Sequence, residues 1–307
     1  MSKSKHSAIV RAAAVALVSA LATLGLTGCT EKQGWSEGTG PIKIVASTNV
    51  WGDIAHQISG DLATVTALID NVNQDPHSFE ASARDQLAVQ DADIVIMNGG
   101  GYDDFVEAMV EADDTPAILI NAYVASGTDS TRNEHIWYSA SQVKDVGNVI
   151  FSALETVDRN STPTYESNLA EFEAQIKLMQ IRTSEIARAW GGAKVFATES
   201  LIHYLLEDTG MIDITPAEFR EAIEEGRDVP PHAMVEAEAV IKQAKFIALN
   251  SSTSTAQIDQ VLKATTAPAF GFGELLPQDP DTGAYTGDYF QMMASALDAI
   301  VEGARSK

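Results

Sequence analysis

Residues 162–192 read TPTYESNLAEFEAQIKLMQIRTSEIARAWGG, and the folding of that stretch decides the architecture. Tyr165, Leu169, Phe172, Ile176 and Met179 recur at steps of four and three, and Ile186 and Trp190 continue the stripe. This spacing is the apolar face of an amphipathic helix. Thr162 can cap its start, with Pro163 in the first turn where a missing N–H costs nothing. Gly191-Gly192 ends it. A helix of about 28 residues, rising about 1.5 Å per residue, spans roughly 42 Å. That is long for a crossover inside one sheet and suits a bridge between two lobes.

On both sides of this helix, strand and helix patterns alternate. Residues 42–46, 63–69, 94–97 and 117–120 read as strands, Val65, Ala67 and Ile69 forming one face of the second. Helical patterns lie between them and over 140–154, where Ser139 can act as cap. After the bridge, 194–198, 246–249 and 268–272 read as strands. Residues 199–207, 216–225, 232–242, 255–264 and 289–302 read as helices. The expected fold is α/β: two α/β lobes, 42–160 and 192–307, with mostly parallel sheets, joined by a single long bridging helix over 161–191.

The amino terminus has another character. Lys3, Lys5 and Arg11 precede an apolar run over 12–26. About 15 residues is short of the roughly 20 that a membrane-spanning helix needs, and the pattern is that of a secretory leader. The run ends Leu26-Thr27-Gly28-Cys29, with the only cysteine of the chain in last place. This resembles the lipobox of bacterial lipoproteins. It implies a signal peptide over 1–28, a lipid on Cys29, and an extracytoplasmic protein anchored to the bilayer. Residues 29–41, polar and glycine-rich, read as a flexible tether. A lone cysteine allows no disulfide within the chain.

The formal charge is -23, and loss of Lys3, Lys5 and Arg11 with the leader makes it three units more negative. So acidic a surface excludes nucleic acid and anionic membrane faces as partners. It suits attraction of cations, although most such charges on any protein are simply solvated.

The chemistry concentrates at predicted strand ends, where ligands bind in open α/β sheets. His77 stands in the loop Asp75-Pro76-His77-Ser78-Phe79-Glu80, after the second strand. His135, in His135-Ile136-Trp137, follows the fourth. Glu199 follows the first strand of the second lobe at once, and Glu274 lies two residues after its last. A lone loop histidine is ordinarily a solvated surface residue. Two imidazoles and two carboxylates, one pair per lobe, suit a transition metal in the cleft between the lobes. Asp75 and Glu80 are candidates to orient His77, or merely to cap its loop. Trp137 is a candidate shield or plain core. His203, four residues after Glu199, would share a helical face with it and is an alternative ligand. His56 reads as a locally packed residue and His232 as an exposed one.

These segments resemble the solute-binding lipoproteins of zinc and manganese ABC uptake systems, over nearly the whole chain beyond the leader. The motifs are Asp75-Pro76-His77 with Phe79 and Glu80, His135-Ile136-Trp137, Glu199 to Tyr204 with Gly210, and Glu274-Leu275-Leu276-Pro277. The bridging helix and Tyr289-Phe290-Gln291-Met292-Met293 complete the resemblance. It implies capture of one divalent ion, Zn2+ or Mn2+, as cargo by His77, His135, Glu199 and Glu274. It also implies delivery to the membrane permease of an ABC transporter, without catalysis, by a protein expected to be a monomer. The chain departs from the family in having Glu199 where many members have His, Ile202 where an aromatic is usual, and no His-rich insertion. Both metals therefore stay open. A surface metallohydrolase is the first rival reading; it would need an open coordination position and a base, and no His-Glu-x-x-His or Gly-x-Ser-x-Gly occurs. An adhesin or siderophore-binding lipoprotein is the second; it would need aromatic or Arg contacts at the strand ends.

Overall fold

The structure is a computed structural model that describes residues 42–72, 74, 76, 79–113, 115–129, 133–279 and 282–306. The expected leader, the tether, Cys29, Asp75 and His77 lie outside the described residues.

The chain opens with β1 (Ile42–Thr48), α1 (Asn49–Ser59) and β2 (Ala63–Ile69). It continues through α2 (Ala83–Gln90), β3 (Ile94–Met97), α3 (Phe105–Asp113), β4 (Ile118–Asn121), a single turn α4 (Ala122–Ala125) and α5 (Ala140–Val157). All four strands pair in parallel in the order β2-β1-β3-β4, with Ile44 opposite both Val65 and Ile94. The apolar run of β3 is buried at every position, because helices cover both faces of a parallel sheet.

The long stretch quoted above is the 29-residue helix α6 (Thr162–Trp190). Its buried face is Tyr165, Phe172, Ile176, Met179, Thr183 and Ile186, as the periodicity requires. The caps differ from expectation. The N-cap is Ser161, with no side-chain cap bond, and the Thr162 hydroxyl donates back to the Arg159 carbonyl at 3.0 Å. Ser139 does precede α5, but its hydroxyl pairs with that of Ser141 rather than with the helix backbone. Helix α6 packs on α1 and α5. The approach to α5 is close: a Cβ on Gly147 would stand 2.9 Å from a ring carbon of Phe172.

The second half repeats the plan: β5 (Lys194–Ala197), α7 (His203–Asp208), β6 (Ile212–Asp213), α8 (Ala217–Glu224) and α9 (Pro231–Val240), then β7 (Phe246–Asn250), α10 (Ala256–Leu262), β8 (Ala269–Phe272) and α11 (Tyr289–Arg305). Its sheet is again fully parallel, in the order β6-β5-β7-β8. Strand β6, two residues long, is absent from the sequence pattern because no period can be read over two positions. The expected helix over 199–207 begins only at His203, so Glu199 sits in the connecting segment.

One apolar cluster runs through both halves, from Ile44 and Ile54 through Phe172 and Ile176 to Phe246 and Leu297. Hydrogen bonds cross between the halves beside it. Asn49 Oδ1 accepts from the Leu276 amide at 2.9 Å, and the Tyr138 hydroxyl donates to the Gly273 carbonyl at 2.8 Å. The Tyr289 hydroxyl donates to the Trp137 carbonyl at 2.8 Å, while the Tyr289 amide, first in α11, donates to Asp53 Oδ2 at 3.0 Å. Burial holds the Asp53 carboxyl above its usual range despite that bond and one from Gln57. Among the described residues no helix is long and apolar enough to cross a membrane.

Candidate metal centre

Parallel pairing puts the carboxyl ends of all strands in a sheet on one edge. At that edge of the first sheet the chain passes from β3 into Asn98-Gly99-Gly100-Gly101-Tyr102-Asp103. Buried Asp103 accepts the amides of Asn98 (2.6 Å) and Gly99 (2.8 Å) and fixes the turn. Gly99 has φ +77°, and a Cβ there would meet Asn121 Oδ1 at 2.2 Å, so only glycine fits. Asn98 then donates to the Glu134 carbonyl at 3.0 Å and ties this turn to the segment carrying His135.

His135 is 5% exposed. Its ring lies edge-on to Trp137, with centroids 5.1 Å apart, and to Tyr102 at 5.9 Å. Asn133 Oδ1 accepts the His135 backbone amide at 2.8 Å, which identifies that atom as oxygen, and lies 3.0 Å from Nδ1. An amide oxygen only accepts, so Nδ1 is the donor in that bond. The other face of Asn133 reaches the second half, where its Nδ2 bonds the Ser200 hydroxyl and the Tyr204 hydroxyl donates to its carbonyl at 2.6 Å.

Ser200 is the neighbour of Glu199, which stands two residues past the end of β5. Glu274, 7% exposed, stands two past the end of β8. The two carboxylates converge on one atom. Asn250 Nδ2, at the end of β7, donates to Glu199 Oε2 at 2.7 Å and to Glu274 Oε1 at 2.5 Å. The Tyr102 hydroxyl donates to Glu274 Oε2 at 3.2 Å. Glu199 Oε1 is buried with no hydrogen-bond partner. Burial pushes the Glu199 carboxyl above its usual range; hydrogen bonds from Asn250 and Thr253 pull it down, and the charge of Glu274 adds to the rise. Burial, and then the Glu274 charge, likewise raises the Tyr138 hydroxyl, which remains a donor. A cavity of about 410 Å³, lined by Glu274, Tyr138, Phe272 and Ser251 among others, opens beside Glu274. Two acids sharing one donor, one of them with an orphaned buried oxygen, form an arrangement that a cation would stabilise.

His77 is among the residues not described. The chain on its N-terminal side is tied to the Glu274 segment, since Gln278 donates to the Asp70 carbonyl and accepts the Val72 amide at 3.4 Å. Phe79 rests on Phe105, with ring centroids 4.9 Å apart, and Glu80 is exposed. Among the described residues no three His, Cys, Asp or Glu side chains stand close enough to hold an ion together. His135 is linked toward the acids through Asn133, which bonds Ser200 beside Glu199, and through Tyr102, which bonds Glu274. His203, with no helical turn joining it to Glu199, is 38% exposed in its side chain and faces Glu207 Oε1 at 3.5 Å. His232 is exposed and pairs with Glu218 at 2.6 Å. Trp137 is 1% exposed and part of the core, its Nε1 buried without a partner.

Sequence reading overlooks Asn133, Asn250 and Tyr102. Asn133 and Asn250 lie in polar turn-forming stretches, and Tyr102 follows three glycines, so each carries an ordinary loop signature.

The family described as ZnuA, the periplasmic zinc-uptake complex component A, matches residues 44–303. The manganese ABC transporter substrate-binding lipoprotein PsaA of Streptococcus pneumoniae is 24% identical over 308 residues, covering 94% of this chain and 97% of that one. The manganese-binding lipoprotein MntA of Halalkalibacterium halodurans is 29% identical over 147 residues; the match spans 46% of this chain and 48% of the relative, about half its length. Among solved structures, FpvC of Pseudomonas aeruginosa in complex with Mn2+ superposes with a TM-score of 0.72 at 20% identity, covering 86% of this chain and 98% of that one. At that identity the likeness bears on the fold.

Proposed function

The chain belongs to the ZnuA family of metal ABC transporter substrate-binding proteins, and from that premise we propose that it captures one divalent transition metal between its two sheets and hands it to a transporter permease. Membership makes it a binding protein and not an enzyme, which removes the metallohydrolase reading. The ligands in this proposal are His77, His135, Glu199 and Glu274, and the cargo is Zn2+ or Mn2+, ions that the family description and several relatives' names carry, beside an iron-binding relative, YfeA of Yersinia pestis.

The observation that carries the reading is the pair of acids meeting at Asn250 with Glu199 Oε1 buried and unpartnered. His135 supports it, since a bond at Nδ1 is how a metal-ligating histidine is oriented. Four protein donors close the shell of a tetrahedral ion and leave no position for a reactive water. His77 enters from its place in Asp75-Pro76-His77 and from the tie between Gln278 and the chain before it.

The names of the relatives are those of extracytoplasmic lipoproteins. We extend this to a lipid on Cys29, a tether to residue 41 and a monomeric protein at the membrane surface. Calorimetry on the metal-free protein tests the site: Zn2+ or Mn2+ should bind one to one, and His77→Ala or Glu274→Ala should each abolish tight binding. Unchanged affinity in either variant removes that residue from the ligand set. Cys29→Ser should move the protein from the membrane fraction to the soluble one; retention there refutes the anchor.

A further inference from the structure

The acids of the second half are not equivalent, and the difference lies in their hydrogen bonds. Asn250 is 5% exposed, and its Oδ1 accepts the Ser252 amide at 2.9 Å. That bond fixes the orientation of the amide, so its two N–H bonds point at the carboxylates, one to each. Glu274 has both oxygens engaged, Oε1 by Asn250 and Oε2 by Tyr102. Glu199 has Oε2 engaged by Asn250, with Thr253 a further hydrogen-bond donor to the same carboxylate, and Oε1 buried without a partner. An oxygen that shares its charge with an N–H is the weaker ligand. Bringing Oε2 of Glu199 to the ion as well would mean turning the carboxylate off Asn250.

Resting on the assignment of Glu199 and Glu274 as ligands, we propose that Asn250 is a specificity-determining residue. It holds Glu199 to one coordinating oxygen, Oε1, and so favours Zn2+ over Mn2+. The chemistry is one of coordination number. Zinc is satisfied by four donors in a tetrahedron. Manganese belongs with the ions that prefer oxygen-rich, octahedral shells, and a two-oxygen carboxylate is the direct way for this site to add a donor. The amide thus does two things at once. It offsets repulsion between a buried and a half-buried acid in the metal-free protein, and it withholds one oxygen in the loaded one.

The test is the ratio of Zn2+ to Mn2+ affinity, measured by competition against a chelator in wild type and in Asn250→Ala. Freed of the amide, Glu199 can close on the ion with both oxygens, and the ratio should fall about tenfold or more, the scale of changes beside metal ligands. A purely structural role would weaken both ions alike and leave the ratio unmoved; that result in a folded variant overturns the proposal. The crystal structure of the zinc-loaded wild-type protein decides independently of how the variant folds. Asn250 Nδ2 should remain on Glu199 Oε2 with only Oε1 at coordinating distance, and two Glu199 oxygens on the zinc would refute it. Glu199→Ala separates this proposal from its premise: unchanged binding of both ions means that the ligand assignment fails, whatever Asn250 does.

Discussion

The two halves share a strand order and a parallel sense, yet they hold the proposed ligands in opposite ways. In the first half His135 is an imidazole packed edge-on to Trp137 and Tyr102. It can be buried at little electrostatic cost, and one bond from Nδ1 to Asn133 settles its orientation. In the second half the donors are two acids that repel each other, brought together by an amide between them. Burial and mutual charge raise the Glu199 carboxyl. Orientation is thus built into one side, and unspent attraction for a cation into the other. Either alone would make a poor trap: an ordered imidazole has little pull, and repelling acids have little order.

The largest effect should come from what the halves have in common. Phe172→Ala opens a cavity in the cluster that runs through both and should cost about 3–5 kcal/mol. Unfolding followed by circular dichroism and by tryptophan fluorescence should still give one coincident transition. Two separated transitions would show that the halves melt independently.

Next is the orienting bond. Asn133→Ala frees the His135 ring and severs the tie to Ser200. Metal affinity should fall about 10- to 100-fold, the usual result of removing a histidine's outer partner. The metal-free protein should keep its melting temperature within a few degrees. If affinity is unchanged, aromatic packing alone orients His135.

The smallest effect is a pH dependence at Asp53, which joins α1 to the start of α11. Its folded-state pKa lies above the unfolded value because the charged form is buried. The stability it contributes is therefore complete below the ordinary Asp pKa and is lost as pH rises through the folded value. Asp53→Asn never ionises, so its deficit against wild type should be greatest near pH 3 and should shrink toward pH 7. A deficit that grows with pH, measured by denaturant titration, would reverse the sign argued here.

The strands and their ends were readable because each is a short apolar run bounded by turn residues, and Glu199 and Glu274 follow two of those ends closely. The bridging helix was readable from its stripe. The start of α7 was not. Residues 199–202 continue an apolar pattern, but tertiary partners claim their polar groups: Asn250 holds the Glu199 carboxylate, and Glu224 accepts the Ser200 amide. Helical bonding waits until His203, which removes the shared helical face that made His203 a rival to Glu199. Asn133, Asn250 and Tyr102 leave no trace because a residue that orients another side chain is defined by contacts between segments far apart in sequence. Asn250 touches residues 51 positions before it and 24 after.

The apolar cluster common to both sheets also bears on how the protein could be divided. A cut at Gly191-Gly192 would yield two fragments, each with a complete four-stranded sheet, and by strand count alone each passes for a self-sufficient unit. Each would also bare its side of a shared interior, where Ile44 and Ile54 belong to the same cluster as Phe246 and Leu297. The fragments should behave as a split protein, aggregating when expressed singly and reassembling when expressed together. A fragment that is soluble and cooperatively folded by itself would show that the strand order is the stronger organiser of the two.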